Sequence, residues 1–236
     1  MTSLRAPSVS RRISIRFIPQ PAGETTSTLV LNGGGITNVF ADFRPLLADP
    51  STCEWAFAGV KRYLEDGSCM WEHWVDNRSG EGDEEAMPDI GHCETLPNGD
   101  ELEKGEMLNP ETGKIEAYEE VWRDEMVPSG ARVLVLQLQR EATEISQVHG
   151  VFLQVGEWAQ VIMRYNGAVS ARRWKFGDRW EEVATHGDRS IPAPTPTNHD
   201  LSGIAGEVAY GPGSENACRW VVVEDYVWNP TLIRSF

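Results

Sequence analysis

One segment of the chain places carboxylic acids beside a tryptophan at the alternating spacing of a β-strand. In residues 68–76, Glu72 and Asp76 share a predicted strand face with Trp74. If that face points into a barrel, burial beside the indole raises the pKa of the acid, which could then donate a proton near neutral pH. If the face meets solvent, these acids are ordinary surface groups. His73 lies on the opposite face, where a structural, hydrogen-bonded histidine is the commoner outcome.

A second segment repeats this combination. In residues 115–127, Glu120 shares a strand face with Tyr118 and Trp122. The same two readings apply, because the pattern gives the shared face but does not show whether that face is buried.

Motifs that bind metals or nucleotides are missing from the sequence. The five histidines show no H-x-x-x-H or H-E-x-x-H spacing, so no metal site is predicted. Gly33–Gly35 is not followed by a predicted helix, and Gly113-Lys114 lacks the rest of a phosphate-binding loop. There is no G-x-S-x-G elbow for a hydrolase nucleophile. We therefore expect no metal and no cofactor.

The elements that must position these residues are short β-strands. Apolar and β-branched residues alternate with polar ones between glycine-rich turns, a pattern typical of antiparallel hairpins. Helix is limited to short candidates at 44–47 and 200–205, and residues 79–113 are expected to be loop with one short hairpin near 100–108. Closed barrels remove the exposed edges of such strands. The predicted strands span residues 13–17, 28–31, 36–43, 55–58, 68–76, 115–127, 132–138, 148–155, 158–165, 168–176, 180–183 and 218–227.

The two halves of the chain share a weak internal sequence repeat. Glu54-Trp55-Ala56 recurs as Glu157-Trp158-Ala159. This repeat favours two related barrels, an N-terminal one in residues 1–127 and a C-terminal one in residues 128–236.

Composition limits the partners and the compartment. The 236 residues carry a formal net charge of −15, which argues against nucleic acid and anionic membrane surfaces as partners. No apolar run is long enough to span a bilayer as a helix. The four cysteines form no C-x-x-C pair, and the arginine-rich N-terminus alternates like a strand rather than a transit peptide. We expect a cytoplasmic protein with reduced thiols.

Several short stretches, in this order, resemble a fungal calycin-like double β-barrel family whose yeast member was named for its interaction with a casein kinase. The resemblance runs over nearly the whole chain and implies an all-β fold of two lipocalin-like antiparallel barrels with little helix. The stretches are Glu54–Gly59, His73–Asp76, Met107–Gly113, Tyr118–Trp122 and Val155–Gln160.

Related fungal barrels of natural-product clusters include tropolonic sesquiterpene hetero-Diels–Alderases, and this chain is similar to them in size and in its tryptophan-rich β character. The similarity implies a cofactor-free pericyclase that dehydrates a hydroxylated tropolone-like polyketide to a quinone methide and couples it to a humulene-type sesquiterpene. Such an enzyme works by orientation, water exclusion and polarising donors. The candidate catalytic residues are Glu72, His73, Tyr118, Glu120 and Arg164; the candidate substrate-binding walls are Trp55, Phe57, Trp74, Trp122 and Trp158.

The alternative is a non-catalytic double barrel that carries a small ligand or regulates a kinase. The volume of the pocket inside the barrels distinguishes the two hypotheses, because a pericyclase needs an apolar pocket of several hundred cubic ångströms. On either reading the expected small-molecule partner is apolar or aromatic, and homodimerisation is left open.

Overall fold

The protein is all-β. The computed structural model describes residues 4–79, 88–140, 148–197 and 218–232. Within these ranges the only helix is a short 3-10 turn at Pro230–Leu232, and no helix there is long and apolar enough to cross a membrane. The strands are β1 (Ser8–Phe17), β2 (Leu29–Asn32), β3 (Val39–Pro45), β4 (Cys53–Tyr63), β5 (Cys69–Asp76), β6 (Asp89–Thr95), β7 (Glu101–Asn109), β8 (Lys114–Glu125), β9 (Arg132–Arg140), β10 (Val148–Val155), β11 (Trp158–Tyr165), β12 (Ala168–Phe176), β13 (Trp180–His186) and β14 (Cys218–Val227).

The first eight strands form a closed antiparallel barrel. Each strand pairs with the next along the chain, and β8 returns to pair with β1. In that closing pair Arg12 stands opposite Trp122, so both side chains lie on one face. Closure leaves no free sheet edge, as expected for many short strands.

The second half of the chain forms a six-stranded antiparallel sheet in the order β13-β12-β11-β10-β9-β14. The all-β prediction is confirmed, and the first half is closed. Closure of the second sheet into another barrel stays a prediction, because residues 141–147 and 198–217 lie outside the described ranges. β8 ends at Glu125 and β9 begins at Arg132, so the proposed domain division falls in their connection.

The main hydrophobic core lies between the two sheets rather than inside the barrel. The outward face of β2, β3 and β4 packs against the second sheet, and burial of these apolar side chains is the chief stabilising term. Its fully buried members include Leu29, Leu31, Ala41 and Phe43 from the barrel and Val133, Val135, Val151, Leu153 and Ile162 from the sheet.

Two buried polar side chains cross this core. Gln160 donates to the carbonyls of Leu29 and Ala41 at 3.2 and 2.8 Å. Arg173 donates to the Gln160 amide oxygen at 2.8 Å and to the carbonyls of Ser27 and Phe43. Burial lowers the pKa of Arg173 to about 9, yet each contact satisfies one of its donors.

Two local predictions are wrong. Residues 79–113 were expected to be loop with one hairpin, but they contain two barrel strands, β6 and β7. Both faces of these strands carry acids, and the inward face also carries Gly91 and Gly105, so the apolar alternation that marks a strand is missing. The helix expected at 44–47 is also absent, because Arg44 and Pro45 continue β3. The candidate at 200–205 lies outside the described residues.

A bulge in β5 determines which of its side chains face inward. The pairing with β4 runs Phe57 to Asp76 and Ala58 to Val75, then jumps to Gly59 opposite His73. Trp74 is the extra residue, so the inward-facing parity changes there. A Cβ built on Gly59 would lie 1.8 Å from the Glu72 carbonyl oxygen, which shows how closely the two backbones approach.

We predict that Gly59→Ala lowers the free energy of unfolding by ~2 kcal/mol, because the new methyl group must displace backbone rather than a flexible side chain. Gly177→Ala is the matched control, since no atom lies within 4 Å of its added Cβ and its backbone is not in the left-handed region. The control should change stability by less than ~0.5 kcal/mol. Urea unfolding of the three proteins measures both values, and equal stabilities would contradict the close approach.

Candidate functional site

The interior of the first barrel, here called the lumen, is polar. It holds a cavity of about 60 Å³. A water molecule needs ~10–15 Å³ on this measure, so the space corresponds to roughly four waters. The cavity is lined by the acids Asp42, Asp89, Glu101, Glu103 and Glu120, the cations Arg44 and Lys61, the rings Phe40, Trp55, Phe57, Trp71, Tyr118 and Trp122, and Ser8, Ser10, Val30, Asn32 and Met107.

Glu120 is the centre of a buried ionic network. Its Oε1 accepts from Arg12 Nη1 at 2.6 Å and from Arg44 Nη1 at 3.2 Å. Arg44 also donates twice to Asp42 Oδ2, at 3.0 and 2.8 Å. Arg12 continues outward to Glu24 at 2.7 Å. The three strands β1, β3 and β8 are thus joined across the lumen by charge-assisted hydrogen bonds.

Burial sets the electrostatics of this network. Burial alone would lower the pKa of Arg44, but the carboxylates of Asp42 and Glu120 hold it well above its usual value. Burial also raises the pKa of Asp42, against the opposing effect of Arg44. Arg44 is therefore a permanent cation in the lumen.

Aromatic rings surround that cation. The guanidinium carbon of Arg44 lies 4.9 Å from the ring centre of Trp55, 5.4 Å from Phe57 and 6.0 Å from Trp122. These distances suit cation–π attraction, so the aromatic residues help to hold a charge that is out of water.

His73 links β5 to β6 and packs beside two of these rings, Trp55 and Phe57. Its Nδ1 lies 2.8 Å from Asp76 Oδ2 and its Nε2 lies 3.0 Å from Asp89 Oδ2. Only the imidazolium form can donate to both carboxylates. Burial would lower the pKa of His73, but the two aspartates raise it to about 9. Its ring packs on Phe57 with centres 4.4 Å apart.

Glu103 and Tyr118 form the one carboxyl–phenol pair in the lumen lining. The Tyr118 hydroxyl donates to Glu103 Oε1 at 2.7 Å. Burial, reinforced by the nearby charge of Glu120, raises the pKa of Glu103 to about 8. Near neutral pH the group is therefore mainly a carboxylic acid, which offers its own O–H as a donor. Burial also raises the pKa of Tyr118, so the phenol keeps its proton.

Two buried polar atoms of the cavity lining have no hydrogen-bond partner. They are Asp42 Oδ1, an acceptor, and Trp122 Nε1, a donor. Buried polar atoms are normally paired, so such atoms call for a specific explanation. Both side chains are neighbours of Arg44, so the unpaired acceptor and the unpaired donor lie in the same part of the barrel wall, on residues that line the cavity.

Comparison with known proteins places the chain in a family. The sequence matches the family described as Protein HRI1 over residues 8–224. The chain belongs to this family. Its fold is similar to the crystal structure of the uncharacterized protein YLR301w from Saccharomyces cerevisiae, with a TM-score of 0.69 and 17% sequence identity, over 94% of this chain and 99% of the yeast chain. No curated protein matches the sequence.

Six of the ten sequence-predicted site residues face the lumen. The alternation on β8 placed three of them correctly on a common face, and the bulge in β5 turns His73 inward. The six are Trp55, Phe57, His73, Tyr118, Glu120 and Trp122.

Glu72 and Trp74 lie outside the lumen. The Glu72 carboxylate is 41% exposed and accepts from Arg62 Nε at 2.7 Å, and this hydrogen bond lowers its pKa. Trp74 packs against the core between the sheets. The expectation of a desolvated general acid at Glu72 is therefore wrong, because the bulge at Trp74 reverses the faces of β5.

Trp158 and Arg164 belong to the second sheet. Trp158 donates from Nε1 to Glu125 Oε2 at 2.8 Å and is covered by Arg11 and Lys175. Arg164 donates to the backbone carbonyls of Asp76 and Ser79 at 2.6 and 2.8 Å. Both residues connect the two halves and neither reaches the lumen lining.

Several lumen residues were not predicted from the sequence. One signal was available, because Asp42 and Arg44 alternate with apolar residues on a strand that otherwise reads as buried. No such signal marks Asp89 or Glu103, which lie in the segment read as loop. In the described ranges, no group of three or more His, Cys, Asp and Glu residues is arranged to hold a metal ion.

We predict that the His73 imidazolium makes stability fall as the pH rises. The folded-state pKa of about 9 exceeds the unfolded value of 6.5, so the contribution is complete below pH 6.5 and is lost as the pH passes through 9. The shift corresponds to at most ~3 kcal/mol. Unfolding of the wild type and His73→Gln across this range should show a stability difference that narrows with rising pH. His92→Gln, at an exposed position of β6, should leave the slope unchanged.

Glu103 should contribute a second fall in stability. A carboxyl group whose pKa rises from 4.5 to about 8 on folding opposes folding as the pH increases between these values. Glu103→Gln keeps the shape of the neutral acid and an acceptor for Tyr118, so the variant should gain at most ~4 kcal/mol on the wild type between pH 5 and pH 9. Glu101→Gln, an exposed neighbour at the same cavity, should gain little; an equal gain would contradict the burial argument.

Proposed function

We propose that the protein is a binding barrel for a compact, polar, one-ring ligand held in the lumen. The observation that supports this function is the unpaired acceptor, Asp42 Oδ1, together with the unpaired donor, Trp122 Nε1, in the lining of one cavity. A ligand that presents a donor and an acceptor side by side would satisfy both atoms and recover the cost of their desolvation.

The size and walls of the cavity narrow the ligand class. A space of about 60 Å³, equivalent to roughly four waters, suits a single small ring. Trp55, Phe57 and Trp122 provide flat walls, and Glu103 offers a carboxylic O–H. A tropolone, with adjacent hydroxyl and carbonyl groups on one ring, has the matching chemistry.

The cofactor-free pericyclase is the second candidate. One observation favours it: Glu103, with its raised pKa, lies beside the Tyr118 hydroxyl and lines the cavity, which is an arrangement that could protonate a leaving hydroxyl. The volume of the lumen cavity is against it, because the coupling of a quinone methide to a humulene-type terpene needs space for both partners. A second, more open cavity of about 640 Å³ beside Trp158 has the space but not Glu103 and Tyr118. Glu72 and Arg164 could take no part at this position.

Titration of the protein with tropolone and, separately, with humulene distinguishes these candidates. Saturable quenching of tryptophan fluorescence by tropolone alone supports the binding barrel. Saturable binding of both compounds would favour the pericyclase. Binding of neither would reject both and favour the kinase-regulating alternative, which needs no ligand cavity.

We predict that Trp122→Phe weakens tropolone binding about fivefold, because it keeps the aromatic wall but removes the indole N–H. Calorimetry should be used, since the substitution also changes the fluorescence. Trp220→Phe is the matched control: its Nε1 is also buried without a partner, but Trp220 lies in the core of the second sheet. Equal weakening of tropolone binding in both variants would contradict the assignment of Trp122 as a hydrogen-bond donor to the ligand.

A further inference from the structure

Two cysteines meet at the seam between β5 and β6. Cys69 begins β5 and stands opposite Gly91 of β6, and Cys93 follows two residues later on the same strand face. The Cβ position of Gly91 points at Glu103 of the lumen lining, so this is the inward face of the barrel. Both thiols are free, and Cys69 is buried.

Among the described residues, this seam has the fewest pairs in the barrel. Three residue pairs join β5 to β6, from Cys69–Gly91 to Trp71–Asp89, against four between β1 and β2 and nine between β7 and β8. The pairing stops at Cys69, so β6 continues through Cys93 without a partner on that side. A covalent link at this point would extend the weakest seam of a closed barrel.

The surroundings favour a reactive thiol at Cys69. The nearby Cys93 thiol, helped by the Lys61 ammonium, lowers the pKa of Cys69 against the effects of burial and Glu101. Conversely, Cys69 and burial raise the pKa of Cys93. Lys61 is paired with Trp71 two residues from Cys69, with its Nζ 4.8 Å from the indole centre, and its charge acts on both sulfurs. A stabilised thiolate beside a second thiol is the usual arrangement of a redox-sensitive pair.

Cys53 provides an internal comparison. It is half-buried, and burial raises its pKa to about 12. Its sulfur accepts from the Asn77 amide at 3.7 Å and has no thiol neighbour among the described residues. Among the described side chains, Cys53 is therefore a thiol without a thiol neighbour, and its exposure class matches that of Cys93.

We propose that Cys69 and Cys93 are a peroxide-sensitive dithiol that closes to a cross-strand disulfide at the β5–β6 seam. This inference goes beyond ligand binding and does not depend on it. The Cys69 thiolate attacks hydrogen peroxide, forming an S–O bond as the O–O bond breaks and hydroxide leaves. The Cys93 sulfur then displaces the sulfenic hydroxyl, and the proton released by Cys93 completes water. Two thiols and one peroxide become one disulfide and two waters.

The geometry requires a small movement. Diagonal neighbours in an antiparallel pair stand ~7–8 Å apart, a little beyond the ~4.4–6.8 Å between the Cα atoms of a disulfide. The pairing of β5 with β6 ends at Cys69, so the movement has to be absorbed by the outer pairs, Cys69 with Tyr63 of β4 and Cys93 with Glu103 of β7. Closure should then raise the Tm of the oxidised protein by ~5 °C.

Peptide mapping of the whole chain tests the proposal. The reduced protein is treated with hydrogen peroxide, remaining thiols are alkylated, and a non-reducing digest is analysed by mass spectrometry. We expect a Cys69–Cys93 peptide lighter by two hydrogens, reversal by dithiothreitol, and full alkylation of Cys53. Two outcomes would overturn the proposal. In the first, Cys53 is oxidised while Cys69 and Cys93 are still free to be alkylated; in the second, Cys69 and Cys93 are each over-oxidised and no disulfide between them is found.

Single variants provide the controls. Cys69→Ser and Cys93→Ser should each abolish the rise in Tm on oxidation, whereas Cys53→Ser should retain it. The wild-type peptide map needs no variant, so a folding defect in either serine variant leaves the test intact. Retention of the rise in Cys93→Ser would show that another group causes it.

Discussion

The pairing of Glu120 with two buried arginines is the interaction on which the barrel interior depends. Arg12 and Arg44 come from different strands, and both donate to the same carboxylate oxygen. Removal of Glu120 would leave Arg12 with Glu24 and Arg44 with Asp42 but no carboxylate between the two cations, and breaking such a buried pair costs ~3–5 kcal/mol. The polar lumen is therefore stable only as a complete network, which explains why the apolar core lies elsewhere.

That core has a functional consequence. The second sheet packs on the outward face of β2 to β4, where Gln160 and Arg173 also bind the barrel backbone. One wall of the lumen is held rigidly by this contact. Val75 and Trp74 of β5 pack on the same core, so the contact extends as far as that strand. The β5–β6 seam, where Trp71 pairs with Asp89, comes next around the barrel, and local opening costs least where strands share few pairs.

The sequence predicted the strands better than their faces. On β8 regular alternation correctly put Tyr118, Glu120 and Trp122 together. On β5 the same reasoning failed, because the bulge at Trp74 changes which residues of the strand point into the lumen. No residue pattern in the local sequence predicts this bulge. β6 was missed, and β7 was predicted as a short hairpin, for another reason: a polar lumen on one side and solvent on the other remove the apolar alternation by which strands are recognised.

The same network limits what the lumen can bind. A ligand that displaced Arg44 from Glu120 or Asp42 would break a buried ion pair. The free energy lost with that pair exceeds what a few hydrogen bonds to a small molecule contribute. Binding must therefore leave the network intact and use the atoms that it does not occupy. Those are Asp42 Oδ1, Trp122 Nε1 and the carboxylic O–H of Glu103. A purely apolar ligand would cover all three without satisfying any of them, so the selectivity of the barrel should be for compact polar rings over terpene hydrocarbons.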